Sequence, residues 1–268
     1  MSFEIGEPIE EGFDRLTERN GLLFVGLFVA IGLISSVFAA DFVSTLIADA
    51  IESGDIDPAD IDTSNNPLLG DDPTEPLFGL PIAVSLVGMA ASLLAHASVA
   101  IAAARTFVGE ETDRIPREHF TRKLGWSLLN LVVGGILFGI AVGIGFVFLI
   151  VPGFFLLVSL YFWPFAVVVD DESFVGGFAR SWTLTSGNRI ALFVLGLIVV
   201  LVTGVVSSIG TAVSAPLPPI AGVLVSGVFS GATFVFTVAV AARAYRQLQR
   251  ERPTETDAEF ESDSGTVF

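Results

Sequence analysis

Cysteine is absent, which excludes disulfides, iron–sulfur clusters and thiol chemistry. The two histidines, His96 and His119, are too few to found a zinc site on their own. Lysine is nearly absent, with Lys123 the single example in 268 residues. Charged residues make up only 16% of the chain against 52% apolar, a balance outside that of water-soluble domains. There is no Gly-rich phosphate loop, no His-x-x-x-His pair and no embedded serine or acid pair of the kind a membrane hydrolase needs. No catalytic class and no cofactor is therefore selected. The few basic residues are interleaved with acids, which argues against nucleic-acid binding.

What charge there is runs acidic, 29 Asp and Glu against 13 Lys and Arg, and it sits in the polar loops and tails. An acidic, lysine-poor surface keeps a protein dispersed under strong screening, so a halophilic source is expected. The first twenty residues lack the basic region and short apolar core of a cleavable signal, and the first span is expected to act as an uncleaved insertion signal.

Long apolar runs supply the architecture. Residues 22–40 and 77–104 are each long enough to cross a hydrocarbon core of about 30 Å. Residues 124–169 carry no charge, and 46 helical residues would measure about 69 Å, so this run divides into spans at 124–150 and 154–169. Pro152 and Gly153 are predicted to make the reversal between them, and Pro164 to kink the second. The prolines at 216, 218 and 219 divide a further run into 190–213 and 220–242. The prediction is an all-α polytopic protein, six transmembrane helices in three hairpins spanning residues 21–250. It is preceded by a cytoplasmic amphipathic segment at 1–20, ending at Asn20 and Gly21, and followed by an acidic disordered tail at 251–268.

The basic residues test that count. With six spans every Arg and the single Lys fall on one side, and the intervening loops have none. Adding or removing a span would split the set. The positive-inside rule makes that side cytoplasmic, placing both termini in the cytoplasm and the acidic loop 52–76 outside.

Several positions stand out within this frame. Gly135, Gly139 and Gly143 recur every fourth residue, as do Gly227 and Gly231, and both sets are predicted to be close helix-packing faces. His96 shares a face with Gly88 and Ser92. It reads either as a neutral packed histidine or as a proton relay or substrate contact. The richest stretch runs from Pro152 to Arg189. Ser173 is suited to cap a helix over 173–186, with Asp170 and Asp171 at its positive end. Phe174, Phe178 and Trp182 form a stripe predicted to lie in the membrane interface, with Arg180 opposite it. Gly187 and Asn188 are placed to end that helix. Trp126, Trp163 and Trp182 are predicted to form an aromatic belt.

The run PGFFLLVSLYFWPFAVVVDD followed by GFARSWTLTSGNR resembles the signature of a broad group of prokaryotic six-helix membrane proteins. These are similar to the membrane domain found beside glycerophosphoryl diester phosphodiesterases. The resemblance points to Pro152, Gly153, Pro164, Asp170, Asp171, Arg180, Ser181, Trp182, Gly187 and Asn188. Phe165 intervenes between Pro164 and Ala166, where the signature has Pro-Ala directly. No polar stretch here approaches the length of the phosphodiesterase barrel, so its activity is not implied. Three function classes remain: a non-enzymatic membrane component that engages other membrane or lipid systems, a small-solute transporter or permease, and a lipid-acting membrane enzyme. The expected company is the lipid bilayer, with a membrane protein partner or a second copy of the chain.

Overall fold

A computed structural model describes residues 3–57, 60–61, 72–109 and 114–251. The SNNP run of the acidic loop and the tail from 252 onward lie outside the described residues. Among the described residues the elements are helices alone: α1 Gly6–Thr17, α2 Arg19–Glu52, α3 Ile82–Val108, α4 Arg117–Thr121, α5 Leu124–Phe148, α6 Ile150–Leu160, α7 Trp163–Val169, α8 Phe174–Thr185, α9 Arg189–Ser214 and α10 Pro219–Glu251. Six segments are long and apolar enough to cross a membrane: α2, α3, α5, the α6–α7 pair, α9 and α10. The protein is an all-α polytopic membrane protein.

The chain divides into two compact units, one of Met1–Glu18, Ile101–Val200 and Phe236–Phe268, the other of Arg19–Ala100 and Leu201–Val235. In the second unit small residues set the helix spacing. A Cβ on Gly231 would lie 3.3 Å from the Val25 carbonyl oxygen, and one on Gly227 would lie 3.7 Å from Val29, so α10 approaches α2 closely there. Gly88 of α3 faces the ring of Phe38. Asp41 is fully buried within α2. Its carboxylate accepts the backbone N–H of Phe78 at 3.0 Å and of Leu80 at 2.9 Å, which satisfies the turn leading into α3. Asp41→Ala is expected to cost about 2 kcal/mol by orphaning those donors, with Asp41→Asn milder because one acceptor survives. Thermal unfolding of the two variants in one detergent measures the difference.

Several sequence expectations are corrected. α1 ends at Glu18, whose extended backbone (ψ 161°) breaks the helix before α2 starts at Arg19. Asn20 and Gly21 are buried in the first turn of α2 and end nothing. The reversal between α5 and α6 falls on Leu149 (φ −160°, ψ 142°), not on Pro152 and Gly153. Pro152 is the third residue of α6, where an amide N–H has no helical partner to lose. Gly153 serves packing: a Cβ on Gly145 would lie 2.9 Å from the Cα of Gly153, so the two helices meet backbone to backbone.

The glycine stripe of α5 is likewise not where the helix packs. A Cβ on Gly135, Gly139 or Gly143 would meet nothing within 4 Å, whereas one on Gly134 would strike the Trp163 indole at 2.6 Å. Period-four spacing marks a face, but the hydrophobic partner decides which face is used. Here the large Trp163 selects the neighbouring one.

Pro164 interrupts its span, and the interruption is a break between two helices, sharper than the predicted kink. The helix stops after Leu160, and α7 restarts at Trp163 with Pro164 in its first turn. Ser181 of α8 stitches the break. Its hydroxyl accepts the Phe162 N–H at 3.1 Å and donates to the Ser159 carbonyl at 3.0 Å, a carbonyl that also receives the Thr185 hydroxyl at 3.2 Å. The proline-imposed gap is filled by a side chain from the following helix.

Ser173 caps α8, its side chain accepting the Gly176 N–H at 3.2 Å. Its contacts then run backward along the preceding span. Gly177 meets Trp163 and Val167, Ser181 meets Phe162 and Ser159, and Trp182 meets Phe155 at 5.5 Å between rings. α8 is therefore antiparallel to α6–α7 and packed along it. The inward face is Gly177, Ser181, Leu184 and Thr185. The Phe174/Phe178/Trp182 stripe does not form a single interfacial face, because Phe178 packs on the Trp163 ring at 5.2 Å. Trp163 is 4% exposed, so it is a core residue and not part of an aromatic belt.

Candidate functional site

The acidic pair Asp170–Asp171 follows α7 directly, where the last carbonyls of a helix lack intrahelical partners and carry partial negative charge. Two arginines meet those carbonyls. Arg105 Nε donates to the Val168 carbonyl at 2.6 Å and Arg122 Nη2 to the Val169 carbonyl at 2.7 Å. Arg105 is 5% exposed and spends its other donors on the His119 carbonyl at 2.9 Å and the Ser127 hydroxyl at 3.2 Å. One guanidinium thus ties α3, α4, α5 and α7 together.

Asp171 turns the chain between α7 and α8 in the left-handed region, φ 58°, a conformation that aspartate tolerates better than most residues. Lys123, at the entrance to α5, is also left-handed at φ 46°. The two side chains face each other at 3.5 Å, with Arg122 at 3.6 Å and Arg105 at 4.0 Å from the same carboxylate. Three cations against one carboxylate hold the strained turn. The exposed Lys123 and Arg122 contribute little stability individually, and Arg105 is the buried member.

Asp170 is bound from α10. The Tyr245 hydroxyl donates to its Oδ2 at 2.5 Å, and the Gln249 amide lies 3.3 Å from both oxygens. Tyr245 is fully buried, packed against Phe162 and Phe165 at 5.9 and 5.6 Å between rings. The Arg180 charge lies close enough to bear on the same hydroxyl. On the other side of the loop, the Phe174 N–H donates to Asn130 Oδ1 at 2.8 Å, joining α8 to α5.

A second helix end is capped in the same manner. The terminal carbonyls of α3 receive Arg15 on Gly109 at 3.1 Å, Arg243 on Phe107 at 3.3 Å and Arg246 on Val108 at 3.4 Å. Arg243 also pairs with Glu11 of α1, and this hydrogen bond holds the Glu11 carboxyl below its ordinary value of 4.5 although partial burial opposes it. A lowered folded-state value means the pair's contribution is present above about pH 4.5 and is lost as pH falls through the depressed value. The acid-side fall in melting temperature is therefore expected to lessen in Glu11→Gln, as measured by melting temperature between pH 3 and 7.

The remaining positions serve connections. Gly187 has φ 88°, which a residue with a Cβ adopts only at a cost, and Asn188 follows with its amide on Glu251 at 2.9 Å. Arg189 sits 4.6 Å above both the Phe155 and Trp182 rings. His96 belongs to the other unit, its Nδ1 3.0 Å from the Ser92 carbonyl and its ring 5.8 Å from Phe28. No group of three or more metal-ligating side chains occurs among the described residues.

The structure thus gathers Asp170, Asp171, Arg180 and Ser181 into one polar joint. It adds Arg105, Arg122, Lys123, Ser127, Asn130, Tyr245 and Gln249, which sequence reading did not assign to the joint. Arg105 was visible only as the charge closing a span, and its burial depends on α5 and α7 arriving beside it. Tyr245 is one of two tyrosines and sits at the apolar-to-basic border of α10, the one signal that could have marked it. No curated protein and no solved structure matches the chain. A family model described as a domain of unknown function, DUF7847, matches residues 3–248. The match spans most of the chain, which therefore belongs to the DUF7847 family.

Proposed function

We propose that this protein is a non-enzymatic membrane component that engages another membrane protein or lipid system, with its basic end as a rigid joint. The observation that carries this reading is how the polar groups of Asp170, Ser181 and Arg105 are used. Asp170 is held by Tyr245 and Gln249, Ser181 by Phe162 and Ser159, and Arg105 by three acceptors on three elements. Groups committed to internal bonds fix geometry, whereas a catalytic acid, base or nucleophile needs a lone pair or proton directed at substrate. The resemblance to the membrane domain beside glycerophosphoryl diester phosphodiesterases agrees with a lipid-associated role without an active site in this chain.

Extraction in native lipid patches tests the proposal. The protein is expected to retain a stoichiometric protein or lipid component through mild purification, and to lose it when the joint is broken by Asp170→Ala. Turnover of a phospholipid by the purified chain would contradict the reading. The permease alternative is favoured by one observation, a cavity beside His96. Uptake of a solute into vesicles containing the protein alone would establish it in place of the first.

A further inference from the structure

In the unit formed by Arg19–Ala100 and Leu201–Val235, α2, α3 and α10 line an open cavity of about 510 Å³. The space arises from small residues. Gly32 of α2, Ala97 and Ala100 of α3, and Gly227 and Gly231 of α10 all line it, and a Cβ on Gly32 would meet nothing within 4 Å. Phe28 and Phe234, 4.6 Å apart between rings, close one wall.

Three polar side chains on this wall, those of His96, Ser36 and Ser226, share one property, and the exposed Ser230 hydroxyl also lines it. A carbonyl oxygen can only accept, so the 3.0 Å contact between His96 Nδ1 and the Ser92 carbonyl requires the proton on Nδ1. In the Nδ1–H tautomer Nε2 is a bare acceptor, and among the described residues Nδ1 alone is engaged. Ser36 and Ser226, which also line the cavity, donate their hydroxyl hydrogens to the carbonyls of Leu33 at 2.8 Å and Val223 at 3.1 Å. With those hydrogens committed to their own helices, the two hydroxyls offer only lone pairs. The aromatic faces of Phe28 and Phe234 add electron-rich surface.

We propose that this cavity is a binding site for a small, mostly apolar molecule bearing one hydrogen-bond donor head, an alcohol or an amine, with His96 Nε2 as the acceptor that fixes its orientation. Donor-free molecules of the same shape fill the cavity but leave Nε2 unpaired, and a buried acceptor without a partner is unfavourable. The site therefore discriminates by the head group, and the apolar body supplies contact area without selectivity. A binding site of this kind goes beyond the joint described above and shares none of its residues.

The test uses the full chain in lipid nanodiscs and fluorine NMR with 4-fluorobenzyl alcohol, 4-fluorobenzylamine and, as the donor-free control, 4-fluorotoluene. Saturable binding of the alcohol or the amine at least tenfold tighter than the control is expected, with the discrimination abolished in His96→Leu. Gly32→Leu, which fills the cavity from a position where a Cβ is free, is expected to abolish saturable binding of all three probes. It also keeps the proposal testable should His96→Leu fail to fold. Whichever of alcohol and amine is preferred identifies the head group. Equal affinity for the control, discrimination that survives in His96→Leu, or saturable binding unchanged in Gly32→Leu would overturn the proposal.

Discussion

Replacing Arg105 with leucine is expected to lower stability by about 3–5 kcal/mol, the largest single effect in the molecule. The leucine leaves the Val168 and His119 carbonyls without their guanidinium donors and the Ser127 hydroxyl without its partner. It also removes the buried cation from the Asp171 carboxylate, leaving that carboxylate to the half-exposed Arg122 and Lys123. Arg105→Lys keeps the charge but offers a compact ammonium in place of a planar fork, so it cannot span three acceptors on three elements. A substantial loss is expected there too. Thermal unfolding with tryptophan fluorescence reads both variants, since Trp163 is in the affected unit.

The second large effect separates glycines that look alike in sequence. Gly145→Leu is expected to cost about 3 kcal/mol, because its new side chain begins 2.9 Å from the Gly153 Cα and backbone cannot rotate aside. Gly139→Leu, six residues earlier on the same helix, meets nothing within 4 Å and is expected to change stability by less than about 0.5 kcal/mol. Gly134→Ala falls between them, since the atom it meets at 2.6 Å is the edge of the Trp163 ring, a side chain enclosed by Phe138 and Phe178. Parallel measurement of the three variants in one detergent separates a packing seam from a small-residue stripe.

The sequence was legible where a single segment decides the outcome. Six apolar runs of membrane length came from hydropathy and length alone, because a buried polar backbone has no alternative to the helix in lipid. The helix following the acidic pair was readable from the Ser173 cap and the acids before it. What failed needed knowledge of the neighbour. The reversal at Leu149 was invisible because Pro152 suits a first helical turn as well as a loop, and the local sequence does not separate the two. The GxxxGxxxG face of α5 was the obvious seam, yet Gly134 and Gly145 lie on the faces that meet Trp163 and Gly153. Arg105, Tyr245 and Asp41 are single polar residues at the ends of or within apolar helices. Their meaning rests on which carbonyl or amide another element brings to them.

The arginines show the same limit in another form. Their one-sided distribution reads as a topological rule, and in the structure five of them also occupy helix ends. Arg105 and Arg122 sit on the last carbonyls of α7, and Arg15, Arg243 and Arg246 on those of α3. A guanidinium at a helix C-terminus satisfies orphan acceptors and complements the dipole, so one residue type meets the insertion rule and the capping need together.

The central claim is that the polar joint is built for structure. The most direct test is a double-mutant cycle of stability on Asp170 and Tyr245, using Asp170→Asn, Tyr245→Phe and the double variant. A coupling of about 1–3 kcal/mol is expected for a buried hydroxyl donating to a carboxylate. A coupling indistinguishable from zero, with both single variants as stable as the wild type, would contradict the claim.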